Sequence, residues 1–152
     1  MANPFPFVAS TVLTAAQLNG IGEAATAFTP TFTGYTRGNG TSQSYYTRVN
    51  KLVFVSCMET LGTTSAVTGT IAMTLPVTAS RQSSIPVSRG YIEDTGVTLY
   101  WATIYPQSTT KVQVFTDATG GTYATNGGVS ATVPMTWGNL DVFGFAFVYE
   151  AA

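Results

Sequence analysis

Histidine is absent from this 152-residue chain. That removes the usual general base, the usual triad member and the commonest metal ligand together. Serines are plentiful, but none stands in a Gly-x-Ser-x-Gly elbow, and no glycine-rich phosphate loop is followed by Lys and Ser/Thr. What remains is carboxylate chemistry. The seven acids are Glu23, Glu59, Glu93, Asp94, Asp117, Asp141 and Glu150, and two carboxyl groups flanking one bond are the minimal kit for glycoside hydrolysis. Glu59, at a strand end, is the candidate to meet Asp117 or Asp141 in space. Glu93 and Asp94 lead into Thr95-Gly96 and read as a solvated turn. Hard cations need several oxygens at close spacing, and no Asp-x-Asp pattern occurs. The chain is not read as an enzyme: no catalytic residue, metal ligand or cofactor is expected.

Aromatic residues offer a second chemistry. Tyr45, Tyr46, Tyr91, Tyr100, Trp101, Tyr105, Tyr123 and Trp137 have broad apolar faces with polar tips, which suit sugar rings and protein interfaces alike. In residues 97–105, alternation sets Val97, Leu99 and Trp101, with Thr103 next in the row, on one side, read as the core side, and Tyr100 with Thr98, Ala102 and Ile104 on the other. Tyr100, Tyr105 and Tyr123 are the candidate receptor or subunit contacts. Cys57, the single cysteine, lies in an apolar run and reads as a small buried hydrophobe.

The elements that must position these groups follow from composition and period. Hydrophobic residues make up 45% of the chain and charged residues 9%, against a usual charged share of about 25%. Disorder needs the opposite balance. A net charge of −1 with Arg37, Arg48, Lys51, Arg81, Arg89 and Lys111 all isolated gives no footprint for nucleic acid. No apolar run approaches the ~18 residues of a membrane span, and no targeting segment is expected, since the start lacks basic residues and Pro4 and Pro6 interrupt it. A surface this short of charge must be covered by hydroxyls and amides or buried against partners.

Residues 1–27 differ from the rest and are read as an attachment arm with a short helix. Thr14-Ala-Ala-Gln17 fits a capping box, and Leu13 with Leu18 a hydrophobic staple, predicting a helix within residues 14–27 that Gly20 and Gly22 weaken. Phe5, Phe7, Val12, Leu13 and Leu18 are the anchoring side chains, too few to form a core of their own.

Residues 28–152 are read as one antiparallel β-sandwich, jelly-roll-like, of about eight or nine strands. The predicted strands are 28–33, 44–50, 51–60, 67–75, 87–92, 97–105, 111–116, 129–135 and 142–150, at sandwich spacing and rich in threonine. Residues 34–42 read as a turn around Gly38-Asn39-Gly40-Thr41; the match of Asn39-Gly40-Thr41 to a glycosylation sequon is read as coincidence. Residues 67–76 and 129–138 echo one another and are read as equivalent strands, although Pro134 must put the second copy at an edge, a bulge or a strand end. Phe143, Phe145, Phe147 and Tyr149 form a stripe opposite Val142, Gly144, Ala146 and Val148. A strand apolar on both faces is central, or turns one face to a neighbouring subunit.

Several of these segments resemble a known group. Thr11-Val-Leu-Thr-Ala-Ala-Gln-Leu-Asn19 resembles the opening of tailed-bacteriophage virion proteins. Phe28-Thr-Pro-Thr-Phe-Thr, the Gly38-Asn-Gly-Thr turn and Tyr46-Thr-Arg-Val-Asn-Lys-Leu-Val-Phe resemble the first strands of their β-sandwich domains. Val133-Pro-Met-Thr-Trp137, with Asp141 and Tyr149-Glu-Ala, is similar to the closing strands. Residues 81–125 fall outside the resemblance. It implies a virion structural protein, often trimeric, of the capsid decoration or cement, head-fibre or tail-fibre tip type, and it transfers no catalytic residue. The expected partners are further copies of the chain and the major capsid protein or a tail protein. The alternative is a tail-fibre or spike tip binding a host-surface glycan, which would show exposed aromatics and carboxylates at loop tips, particularly within residues 81–125.

Overall fold

Period-two alternation in this chain becomes cross-strand register. The computed structural model describes residues 24–118 and 125–152, together with Val12 and Ala15. The strands are β1 (Thr26–Ala27), β2 (Phe32–Thr36), β3 (Thr41–Val49), β4 (Leu52–Thr60), β5 (Ala66–Thr74), β6 (Ser88–Asp94), β7 (Thr98–Pro106), β8 (Lys111–Ala118), β9 (Thr125–Gly128) and β10 (Val142–Glu150). They pair antiparallel in one sheet ordered β1-β3-β4-β10-β6-β7-β8-β5-β2, with β9 beside β8. The sheet curls into a half-barrel, so the expected all-β, sandwich-like architecture is what the chain adopts.

Turn chemistry fixes the registers. β3 and β4 are joined through Asn50 and Lys51, with Val49 opposite Leu52. Asn50 takes φ 56°, a left-handed conformation that asparagine tolerates and a two-residue hairpin requires. β6 and β7 are joined by Thr95, Gly96 and Val97, where Gly96 supplies φ 80°.

The strand apolar on both faces is indeed central. β10 pairs with β4 along its full length, from Val142 opposite Thr60 to Glu150 opposite Leu52, and with β6 over Val142–Phe145. Its inner stripe, Phe143, Phe145, Phe147 and Tyr149, is buried. Phe32 and Tyr35 from the far end of the sheet meet Phe143 edge-on, at ring-centroid distances of 5.8 and 5.0 Å. Those contacts hold the curl. Val53, Val55, Ile71, Met73, Ile92, Ile104, Val112 and Val114 complete the core.

Four expectations change. The helix predicted within residues 14–27 does not reach Ala27: Thr26 and Ala27 are β1, opposite Tyr46 and Tyr45. The open edge of β3 gives their backbone groups partners that a fraying helix end would lack. Ala15 is helical, and the remaining capping residues lie outside the described residues. The strand predicted at 28–33 starts only at Phe32 and runs on to Thr36, and β3 begins at Thr41, so the turn shrinks to residues 37–40. The strand predicted at 129–135 is an irregular segment with one isolated bridge, Ser130 to Val133. Pro134 has no N–H to donate, and Thr125–Gly128 instead pairs with β8. The two echoing segments are therefore not equivalent, since only the first contains a strand, β5. Finally, the faces of β7 are reversed. Tyr100 packs against the core, and Trp101 is 60% exposed.

Candidate functional site

The acids separate onto different parts of the fold. Glu59 is completely buried on the inner face of β4. Arg37 grips it with both arms of its guanidinium, Nε to Oε2 at 2.7 Å and Nη2 to Oε1 at 2.8 Å, and the Tyr35 hydroxyl stands 3.4 Å from Oε2. Hydrogen bonding to Glu59 raises the Arg37 pKa. Burial first, and the Glu59 charge second, push the Tyr35 phenol up to about 12. Asp141 accepts from the backbone N–H of Gly138 and Thr95 at 2.5 and 3.1 Å, pinning the loop before β10. Asp117 lies on the outer face of β8, paired with Arg89. Glu59 and Asp117 thus occupy opposite faces of the sheet and cannot flank one bond. Cys57 is buried, as the sequence implied, and receives a hydrogen bond from the Ser44 hydroxyl at 3.2 Å. Burial pushes its thiol up to about 12, which leaves almost no thiolate at neutral pH.

The outer face is where side chains remain uncovered. Because paired residues share a face, the registers define rows across it. One row is Thr47, Phe54 and Val148; the next is Tyr45, Ser56 and Ala146; a third is Gln43, Met58, Gly144, Tyr91 and Trp101. Leu52, Phe54, Tyr45, Leu99, Trp101 and Tyr105 are all exposed. An ordinary domain scatters such residues singly; here they share one face of one sheet.

Within that face lies a trough of about 460 Å³. Its floor is low because the outward-facing residues of β10 there are Gly144 and Ala146, with the inward-facing Phe145 between them. A Cβ on Gly144 would stand 2.8 Å from Cε1 of Tyr91, so that ring lies across the glycine. Burial, with the Glu93 charge adding to it, raises the Tyr91 phenol. Gln43 and Tyr45 form one wall, Arg89 and Trp101 the other. Arg89 and Trp101 also border a side hollow of about 290 Å³ closed by Asp117. The Arg89–Asp117 ion pair is steadied by Thr103, whose hydroxyl donates to Asp117 Oδ1 at 3.2 Å. A second, apolar groove of about 410 Å³ runs beside the first, lined by Ala25, Tyr45, Phe54, Ala146 and Val148 among others.

Of the anchoring side chains, Val12 is 91% exposed; Phe5, Phe7, Leu13 and Leu18 lie outside the described residues. Of the candidate contacts, Tyr105 is exposed and stacks edge-on with Phe115, Tyr100 is partly buried, and Tyr123 lies outside the described residues. The groups the sequence did not single out as one site are Gln43, Arg89, Trp101 and Asp117. They come from four strands, and only register brings them together. The one available signal was an apolar strand with Gly144 and Ala146 on its second face. Comparison with protein-family models, with curated proteins and with solved structures finds no match to this chain.

Proposed function

We propose that this chain is a structural protein of a tailed-bacteriophage virion, a trimeric capsid decoration or cement protein attached by its N-terminal arm and displaying the β-domain. The observation that supports this most is apolar surface left without cover. The arm residue Val12 and the outer-face row of Phe54 and Val148, with Leu52 beside it, are exposed to different degrees in a chain with only 9% charged residues. Covering a half-exposed Leu or Phe contributes roughly 1 kcal/mol, and three arms acting together gain avidity that a single arm lacks. Deleting residues 1–20 tests it. The truncated protein should keep its β-sheet circular dichroism and lose particle association; full occupancy on particles after the deletion would refute the anchor.

A tail-fibre or spike tip binding a host-surface glycan is the second reading. It is favoured by one observation, the grouping of Trp101, Arg89 and Asp117 within residues 81–125. All three stand within strands rather than at loop tips. Here adsorption to host cells, rather than particle assembly, should depend on these residues.

A further inference from the structure

We propose that the outer-face trough between Tyr45 and Trp101 is a binding site for a neutral pyranose sugar, stacked against Trp101 and hydrogen-bonded by the Arg89–Asp117 pair and Gln43. The inference deepens the glycan-binding reading and rests on it for biological meaning, while the site itself is defined by its chemistry.

Three features select this ligand class. First, Trp101 is 60% exposed yet sits in mid-strand between β6 and β8, so its indole is held by the sheet backbone. A pyranose presents a C–H face that an aromatic plane covers well, and the stack adds to simple area burial. Second, the polar groups of the trough and of the adjoining hollow, where Asp117 stands beside Arg89 and Trp101, supply both hydrogen-bond senses. The Arg89 guanidinium only donates, the Asp117 carboxylate only accepts, and the Gln43 amide does both. Sugar hydroxyls also do both, so adjacent hydroxyls can bridge a paired donor and acceptor. Third, charge argues for neutrality. Arg89 and Asp117 cancel, and Glu93 on the same face adds a negative charge one row away. An anionic sugar would meet repulsion without an unpaired cation.

An apolar protein surface fits this half of the face less well. It would take the Arg89–Asp117 pair out of water without replacing its lost partners, and a desolvated ion pair gains little unless its remaining groups are bonded. The volume, about 460 Å³, lies within the ordinary range of small-molecule sites. The Phe54–Val148 row left without cover is separated from the Trp101 row by the row of Tyr45, Ser56 and Ala146, so the sugar site and the apolar surface available for association occupy different parts of the face.

The test is calorimetric titration of the full-length protein with methyl glycosides and trisaccharides of glucose, galactose, mannose and N-acetylglucosamine, alongside sialyllactose and a heparin tetrasaccharide. At least one neutral sugar should bind saturably. Trp101→Ala and Asp117→Asn should each weaken it about tenfold or more, with thermal midpoints near the wild type because both side chains are partly exposed. Trp137→Phe, outside the trough, should leave affinity unchanged. Absence of saturable binding by every neutral sugar, binding by the anionic sugars alone, or binding untouched by both Trp101→Ala and Asp117→Asn would overturn the site. Sugar binding lost in Trp101→Ala, with host-cell adsorption of particles carrying that variant unchanged, would support the site and refute the receptor reading.

Discussion

At the scale of single residues, the inner face contains one ionic contact among the described residues, and it is a demanding one. Glu59 has no exposure, and its partner Arg37 keeps a quarter of its side chain in water. Removing one member of a buried pair costs about 3–5 kcal/mol, and the partial exposure of Arg37 lowers that. Glu59→Gln should therefore destabilise the domain by about 2–3 kcal/mol, read as a lower urea midpoint at unchanged slope. Burial also sets the alkaline limit. The Tyr35 and Tyr149 phenols are lifted from 10.0 to about 12 and the Cys57 thiol from 9.0 to about 12, so the folded state favours all three in their neutral, protonated forms. Their contribution is whole below pH 9 and falls as pH rises through the interval from 9 to about 12. Denaturant midpoints should be level across that part of the scale until about pH 9 and then decline. Tyr35→Phe should remove part of the decline, and a midpoint unchanged up to pH 12 would contradict the assignment.

At the scale of elements, strand positions were legible in the sequence because alternation bounded by Gly, Asn, Ser and Thr specifies extended segments locally. β4, β7, β8 and β10 start within a residue of their expected positions. Faces and partners were less legible. β7 has apolar residues on both sides, so hydrophobicity could not choose between Trp101 and Tyr100. The choice follows from register, since Tyr100 opposes buried Ile92 and Ile104 opposes buried Val114. The Arg37–Glu59 contact, from the turn after β2 to β4, and the Arg89–Asp117 pair, which reaches across β7 from β6 to β8, likewise join parts of the chain whose proximity no local pattern encodes. Two glycines at the β6–β10 contact give a sharper test. A Cβ on Gly90 would stand 2.6 Å from the Gly144 carbonyl oxygen, whereas one on Gly144 would meet the far end of the Tyr91 ring. Backbone cannot yield as a side chain can. Gly90→Ala should cost about 2 kcal/mol and Gly144→Ala under about 1.5 kcal/mol, compared by thermal unfolding; the reverse order would show that the two strands are not packed as described.

At the scale of the whole molecule, the proposed association rests on the low charge and on the outer-face row of Phe54 and Val148. Phe54→Lys places a charge in that row without touching the core. In analytical ultracentrifugation, the wild-type chain should form trimers at micromolar concentration and the variant should shift toward monomer. The variant's thermal midpoint, extrapolated to low concentration, should stay near that of the wild type. An unchanged distribution of species would remove this row from the subunit contact. The sandwich class was legible at this scale because strand spacing alone restricts a chain of this length to few architectures. The curl was not, since it depends on Phe32, Tyr35 and Phe143 meeting across more than 100 residues of sequence.

The central place of β10 also has a consequence for biosynthesis. It follows the other nine strands in chain order, yet it is the strand that joins β4 to β6. Until it is made, β4 and β6 each lack their partner on the edge that β10 fills. Such edges pair readily with other chains, and pairings so distant in sequence form slowly. Those edges are where mispairing between nascent chains would begin, so slowing translation initiation, which spaces the chains on one message, should raise the yield of correctly closed sheet.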